Sequence, residues 1–246
     1  MITIYTIAFN EELLLPRMIS FYRNRLPNCK IVVYDNQSTD QTAAIARQAG
    51  CEVRCTDNKL NERELNNLKN NCWKDAATDW VVVCDIDEWI DVKWQDLYKG
   101  HWDIARTKYY TVLNKGISES IDNIQHAYCQ AAISFGGVLF NACSVKDINY
   151  DFSAHKCKPQ TKRGTEIIYS DRIFNGYDCK LINASPVISR YQQFVKRLSR
   201  ENIKNKRSYQ FLFPALKTRW LYLKLQFLSK RIGPLRALIN CTPESC

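Results

Sequence analysis

The chain has 246 residues and a mass of 28.7 kDa, and 46% of its residues are hydrophobic and 24% charged, which is the composition of an ordinary globular domain. Eight glycines and seven prolines exclude collagen and low-complexity linkers, and no run of 18 apolar residues is present to span a bilayer. The net charge of +10 comes from residues 190–246, with 13 Lys or Arg against two acidic residues, so the first 189 residues lack the basic cleft lining of nucleic-acid enzymes and no nucleic-acid partner is expected.

The first hundred residues alternate between short β-branched runs and helical stretches. Strands are predicted at Ile2–Phe9, Lys30–Tyr34, Cys51–Cys55 and Trp80–Cys84, and helices at Glu11–Asn24, from Thr39 or Asp40 to Gly50, and at Glu62–Ala77. This order predicts parallel strands with right-handed crossovers, and such sheets bind ligands at the carboxyl ends of their strands. The loops after Phe9, Tyr34 and Cys84 are therefore expected to hold the chemistry.

Beyond Glu88 the pattern changes to mixed β segments and then to helices. Strands are predicted at Ile104–Leu113, His126–Phe135, Val138–Val145 and about Glu166–Ile173, and helices at Tyr191–Lys204 and Leu216–Asn240. The expected fold class is α/β, with a mixed, mostly parallel central sheet flanked by helices and a helical C-terminal tail. We expect a domain over residues 1–210 and a basic helical extension over 211–246, which either packs on the domain or binds peripherally to an anionic membrane.

The 11 cysteines are expected to be reduced, because their number is odd and no C-x-x-C pair exists. The three histidines lie far from any cysteine pair with zinc-ligand spacing, which argues against a zinc site. The segment Met1–Phe9 enters a strand with no basic stretch before it, so a signal peptide is not predicted and a cytoplasmic location is expected.

The most informative segment is Val81–Trp89, where a buried strand ends in three carboxylates, Asp85, Asp87 and Glu88. Burying unpaired carboxylates costs several kcal/mol, so this cluster must face water, a cation or a basic partner. Asp85 and Asp87, two apart on extended backbone, would point to the same side and could jointly hold a hard divalent cation. The alternative is a solvated acidic turn.

Two further segments lie at predicted strand ends. Asp35 and Asn36 offer hydrogen-bond acceptors and donors to the edge of a nucleobase, while Ser38 to Asp40 are typical helix caps. In Ala8–Glu12 the backbone can also bond a base and Phe9 offers an apolar wall, although Asn10 could equally be an N-cap.

These residues together resemble a glycosyltransferase of the GT-A fold, close to family 2 and to its D-x-D-E branch. The resemblance lies in AFNEE after the first strand, YDNQSTD after the second, and KNNCWK ahead of WVVVCDIDE. It continues at Ala154–Pro159 and Lys196–Asn202 and covers about residues 1–210.

The resemblance implies a nucleotide-sugar donor, usually a UDP-sugar, and inverting transfer to a hydroxyl of a glycan, lipid-linked or protein acceptor. Mn²⁺ or Mg²⁺ would be held by Asp85, Asp87 and His155. The implied donor-binding residues are Ala8, Phe9, Asn10, Glu12, Asp35, Asn36, Asn70, Asp85, Ile86 and Asp87.

The catalytic base is not singled out by the sequence. Four carboxylates lie in the half that usually builds the acceptor side: Asp147, Asp151, Asp171 and Asp178. Asp151, four residues before His155, is favoured, and Glu88 is the candidate next to the cation.

Two other classes of protein were compared with this interpretation. A nucleotidyltransferase would normally have a glycine-rich basic loop after its first strand, and here that loop is acidic and lacks glycine. A non-catalytic protein that binds nucleotide-sugars or glycans and keeps the GT-A fold stays open, because Asn183-Ala184 stands where relatives commonly have His-Tyr.

Overall fold

The computed structural model describes residues 1–57, 61–98, 101–113, 126–134, 138–151, 157–179 and 230–231. The described helices are α1 (Leu15–Arg25), α2 (Thr42–Gln48), α3 (Glu62–Asn71) and α4 (Trp94–Tyr98). The described strands are β1 (Ile2–Ala8), β2 (Lys30–Asp35), β3 (Glu52–Cys55), β4 (Trp80–Asp85), β5 (Glu88–Ile90), β6 (Ile104–Leu113), β7 (His126–Ser134), β8 (Leu139–Asn141), β9 (Val145–Asp147), β10 (Gln160–Thr161), β11 (Tyr169–Asp178) and β12 (Lys230–Arg231). The predicted α/β fold class is confirmed.

The central sheet has the strand order β12-β7-β6-β8-β4-β1-β2-β3, and β11 pairs with both β6 and β5. Strands β3, β2, β1 and β4 are parallel, and β8 is antiparallel to both β4 and β6. The register places Ala8 beside Asp35 and Ile7 beside Asp85. The carboxyl ends of β1, β2 and β4 therefore share one edge of the sheet, as the βαβ order predicts.

Two apolar layers cover the two faces of this sheet. Because side chains alternate along a strand, Val82 packs in the layer that contains Leu15 and Met18 of α1. On the opposite face, Trp73 meets the ring of Phe140 edge to face, with centroids 4.9 Å apart. Among the described strands, Asp35 and Asp85 stand at the ends of β2 and β4, outside these apolar layers.

Several elements differ from their predicted bounds, among them α1, which begins at Leu15 and not at Glu11. The predicted strand Val138–Val145 is interrupted, because the side chain of Asn141 accepts a hydrogen bond from the Cys143 N–H at 2.8 Å and closes a turn. Helix α3 ends at Asn71 and not at Ala77, and the turn that follows buries Trp73. Strand β11, which was predicted at about Glu166–Ile173, begins at Tyr169 and extends to Asp178, because it pairs with β6 and β5.

The N-cap of α2 is Gln41, which makes no side-chain cap bond, so the predicted cap residue Asp40 stands one residue earlier. The Asp40 carboxylate accepts a hydrogen bond from the Thr42 N–H at 2.9 Å. Every cysteine with a described side chain is a free thiol, in agreement with the reduced state expected from the sequence.

Most of the C-terminal tail lies outside the described residues. Of the predicted helix Leu216–Asn240, the structure describes Lys230–Arg231, which form a strand antiparallel to β7, so the helix prediction is wrong for these two residues. The predicted helix Tyr191–Lys204 and the Asn183 position lie outside the described ranges, and the division at residue 210 stays a prediction. None of the helices within the described ranges has the length and apolar character needed to cross a membrane.

An internal ion pair joins α1 to the segment after β5 and generates a stability prediction. Arg25 Nε lies 2.9 Å from Asp91 Oδ1, and both side chains are about nine-tenths buried. Tyr177 Oη donates to the other carboxylate oxygen at 3.3 Å. Asp91→Ala should lower the free energy of unfolding by about 3–5 kcal/mol, because it removes one partner of a buried ion pair and leaves the Arg25 guanidinium buried without this carboxylate. Urea denaturation measures this loss.

Lys30→Ala is the matched control, since it removes an exposed ion pair with Glu52. Its expected cost is at most about 1 kcal/mol. Equal losses in the two variants would show that the Arg25–Asp91 pair contributes no more than a surface pair.

Candidate functional site

The three carboxylates that follow β4 lie around a tight turn. Asp85 is the last residue of β4, Ile86 and Asp87 form the turn, and Glu88 begins β5, which runs in the opposite direction. The prediction that Asp85 and Asp87 lie on one extended strand is therefore wrong, because the chain reverses between them. We call residues 85–88 the acidic turn.

The backbone of the acidic turn is held from two sides. Ile86 is only 3% exposed, so its side chain is anchored in the core, and its carbonyl accepts a hydrogen bond from Trp89 Nε1 at 2.8 Å. The carbonyl of Asp87 accepts a hydrogen bond from the Cys179 N–H at 2.6 Å. The turn is thus fixed before any ligand arrives, which favours a binding role.

A fourth carboxylate reaches this turn from β11. Asp178 is buried and pairs directly opposite Glu88. Burial, followed by the negative charges of Asp85, Asp87 and Asp178, raises the pKa of Glu88 to about 8. The sequence predicted Asp178 only as one of four candidate bases. It could not predict that Asp178 lies next to Glu88, because that contact depends on the register between β11 and β5.

Lys69 supplies positive charge to the acidic turn. Its Nζ lies 2.6 Å from Asp85 Oδ1, and its side chain is 12% exposed. Burial pushes the pKa of Lys69 down, but the charges of Asp85 and Glu88 outweigh burial and leave this pKa above its ordinary value. Lys69 therefore remains a cation. Sequence reasoning gave it no role, although it stands on the helix that directly precedes β4.

The predicted nucleobase residues lie at the neighbouring strand ends. Asp35 and Asn36 are both buried, and the Asn36 N–H donates to the Ala8 carbonyl at 2.9 Å. Asp35 Oδ1 accepts from the Ser38 N–H at 3.3 Å. Phe9 is half-buried beside them. These residues form a polar niche with an apolar neighbour, at the same edge as the acidic turn.

Two other predicted donor-binding side chains connect the loops after β1 and β2. The Asn10 N–H donates to Ser38 Oγ at 3.0 Å, and Asn10 Oδ1 accepts from the Thr39 N–H at 2.7 Å. Glu12 Oε2 accepts from the Gln41 N–H at 3.1 Å. Asn10 and Glu12 therefore hold the two loops against each other.

Asn70 contacts the chain just before Asp151. Its Oδ1 accepts a hydrogen bond from the Tyr150 N–H at 2.8 Å, while Asn66 Nδ2 donates to the Tyr150 carbonyl at 3.2 Å. Asp151 is exposed. The pKa of Cys157 is raised to about 12, first by the burial of its thiol and then by the negative charge of Asp151. Helix α3 thus fixes the backbone from which Asp151 extends.

The predicted metal ligands are only partly described. His155 lies outside the described residues. Within the described ranges, no three His, Cys, Asp or Glu side chains are grouped so as to coordinate a metal ion by themselves. The assignment of Asp85 and Asp87 as metal ligands stays a prediction.

Comparison with known proteins identifies a family. Residues 3–128, about half of the chain, match the family described as glycosyl transferase family 2. Protein RfbJ of Shigella flexneri is 29% identical over 84 residues, which are 34% of this chain and 62% of that protein. A TPR repeat-containing protein of Synechococcus elongatus is 28% identical over 115 residues, which are 46% of this chain and 27% of that protein. The chain spans less than two thirds of the length of these curated relatives.

Solved structures were also compared. Staphylococcus aureus TarS has 15% sequence identity and a TM-score of 0.48, with 89% of this chain and 43% of TarS covered. Glucosyl-3-phosphoglycerate synthase from Mycobacterium tuberculosis, in a complex with Mn²⁺, UDP and phosphoglyceric acid, has 22% identity and a TM-score of 0.32, with 44% of this chain and 43% of that one covered.

The contact between Lys69 and Asp85 generates a prediction. Lys69→Met keeps the apolar stem but removes the positive charge from the acidic turn. Losing one partner of a buried pair costs about 3–5 kcal/mol, and because Asp85 is 39% exposed we expect about 1–3 kcal/mol. Denaturation in buffer without divalent ions measures the change.

Lys74→Met is the matched control, because Lys74 Nζ lies 2.7 Å from Asp147 Oδ1 in a more exposed pair. It should cost less than about 1 kcal/mol. If Lys69→Met cost no more than this control, the acidic turn would not depend on Lys69 for its charge balance.

Proposed function

The chain belongs to glycosyl transferase family 2, and we propose that it transfers a sugar from a nucleotide-sugar donor to an acceptor hydroxyl. The membership confirms the predicted glycosyltransferase family. The observation that carries the proposal is the position of the acidic turn, which shares one sheet edge with the polar niche at Ala8 and Asp35. A nucleoside diphosphate needs these two environments side by side.

The strand order suggests how the donor lies in the site. Asp35 ends β2, Ala8 ends β1 and Asp85 ends β4, in neighbouring positions along the sheet. We place the nucleobase at Asp35, Asn36 and the backbone of residues 8–10, and the diphosphate at the acidic turn. UDP-sugars are the first donors to test, as the family resemblance implies.

The acidic turn fits a hard divalent cation, Mn²⁺ or Mg²⁺. The donor set consists of carboxylate oxygens, and the charges of Asp85, Asp87 and Asp178 all act on Glu88, so the acidic turn is a strongly negative environment. Such ions are often held by one or two carboxylates together with substrate phosphates, and Asp85 and Asp87 would be these ligands, with His155 as a third. When bound, the cation supplies Lewis-acid stabilisation of the departing diphosphate.

The residues of the chain would then have distinct tasks. Lys69 can direct its ammonium group toward a diphosphate oxygen, because it already lies at the acidic turn. A carboxylate takes the proton of the acceptor hydroxyl while the acceptor oxygen bonds to the anomeric carbon. The bond from that carbon to the diphosphate breaks at the same time, and the configuration of the anomeric carbon is inverted. Asp151 is our first candidate base, since it is exposed and accessible to an acceptor, and Glu88 is the second.

The acceptor is a hydroxyl on a glycan, a lipid-linked sugar or a protein. Slow hydrolysis of a UDP-sugar without acceptor tests transfer chemistry directly, because water then replaces the acceptor. Binding of UDP with no hydrolysis of any UDP-sugar would instead favour the non-catalytic binding protein.

Asp87→Asn should abolish the dependence of UDP binding on Mn²⁺, because the amide is a poor ligand for a hard cation. Isothermal titration of UDP with and without Mn²⁺ measures this, and the melting temperature should be nearly unchanged. Glu64→Gln, at an exposed position on α3, is the control and should leave binding intact. Unchanged Mn²⁺ dependence in Asp87→Asn would remove the metal assignment.

Asp35→Asn should weaken UDP and uridine by the same factor, about tenfold or more, because a charge-assisted hydrogen bond to the base is lost. The amide oxygen of Asn can still accept the Ser38 N–H, so the loop should keep its shape. Titrations with both ligands make the comparison. If UDP weakened while uridine did not, Asp35 would lie at the diphosphate and its placement here would be wrong.

A further inference from the structure

Tyr109 on β6 lies directly across a glycine of β11. Gly176 is its partner in the parallel register. A Cβ on Gly176 would stand 2.6 Å from Tyr109 Cε1 and 2.7 Å from Cδ1, closer than any real contact. The absence of a side chain at Gly176 therefore lets the Tyr109 ring lie across β11. This contact fixes the orientation of the ring and thus the position of its hydroxyl group.

The hydroxyl of Tyr109 is buried and has no hydrogen-bond partner among the described residues. A buried hydroxyl without a partner is uncommon in proteins, and a ligand could supply the missing hydrogen bond. Two other buried tyrosines are satisfied: Tyr22 Oη accepts from the Ile90 N–H at 3.1 Å, and Tyr177 Oη donates to Asp91. Tyr109 differs from both.

The surroundings of this hydroxyl belong to the acidic turn. Burial raises the pKa of Tyr109 well above its ordinary value, and the charge of Glu88 and, more weakly, of Asp85 raises it further. A phenol hydroxyl can donate a hydrogen bond to a ligand oxygen. Tyr109 pairs with Gly176, two residues before Asp178, and Asp178 pairs with Glu88, so strand register places Tyr109 beside the acidic turn.

Strand order assigns the part of the donor that this hydroxyl would meet. The proposed nucleobase and diphosphate positions follow β2, β1 and β4, and the next strands in the same direction are β8 and β6. Strand β6 runs parallel to β4, because both are antiparallel to β8, so its carboxyl end faces the same edge. A donor laid along this edge extends its sugar beyond the diphosphate, toward β6.

We propose that the Tyr109 hydroxyl donates a hydrogen bond to a hydroxyl oxygen of the transferred sugar, and so contributes to the choice of donor. This inference rests on the proposed function. It assigns Tyr109 to the sugar, and not to the nucleotide, which the niche at Asp35 serves.

The test is Tyr109→Phe, which keeps the ring on Gly176 and removes only the hydroxyl. UDP is titrated in the presence of Mn²⁺, and so are UDP-glucose, UDP-galactose and UDP-N-acetylglucosamine. The variant should bind UDP as the wild type does, and the preferred UDP-sugar about 3–10-fold more weakly. Its melting temperature without ligand should be equal or higher, because an unsatisfied group is removed.

Tyr22→Phe is the matched control. Its hydroxyl serves the Ile90 N–H, so this variant should lose stability while the ratio of UDP-sugar to UDP affinity stays unchanged. If Tyr109→Phe lost stability in the same way, or kept the wild-type ratio, the inference would be overturned while the proposed function stands. If the wild type bound neither UDP nor any UDP-sugar, the proposed function would fall and the inference with it.

Discussion

Repulsion among carboxylates is the constraint on which the site depends. Asp85, Asp87, Glu88 and Asp178 are gathered where β4, β5 and β11 meet, and Lys69 is the described cation that contacts them. Such a cluster would relax outward into water if its backbone could move. It cannot, because apolar and neutral groups hold the turn: the buried Ile86 side chain, the Trp89 indole and the Cys179 amide. The fold thus holds these four carboxylates together at one edge of the sheet.

Helix α3 connects this charge centre to the segment that leads to Asp151. Asn66, Lys69 and Asn70 are spaced i, i+3 and i+4, so they share one face of the helix. Two of them bind the backbone of Tyr150, and the third pairs with Asp85. A displacement of α3 would therefore move the base of the Asp151 segment and the countercharge of the turn together. The nucleotide end is braced separately, by Asn10 between the first two loops.

Sequence reasoning located the site because parallel strands must bring their ends together. Asp35 and Asp85 end β2 and β4, as the alternation of strands and helices predicts. The geometry at Asp87 was wrong, since a two-residue spacing does not reveal whether the chain continues or reverses. Asp178 and Tyr109 could not be assigned, because their positions depend on how β11 registers with β5 and β6, and residues such as Gly176 are poor strand formers that hide this strand. Long-range pairing overrode local propensity there.

The residues inside and outside the family match contribute to different parts of the site. The family match ends at residue 128 and includes the niche at Asp35, the acidic turn and Lys69, which together suit a nucleoside diphosphate. Asp178, Gly176 and Tyr150 lie beyond it, yet β11 returns them to the acidic turn by pairing with β5 and β6. Loops and strands that follow such a platform are where a fold can change its specificity without rebuilding the platform. We therefore expect the acceptor to be selected by the later half of the chain, acting on a platform that the first half builds, while the choice of sugar involves Tyr109 of β6 where it packs on Gly176 of β11.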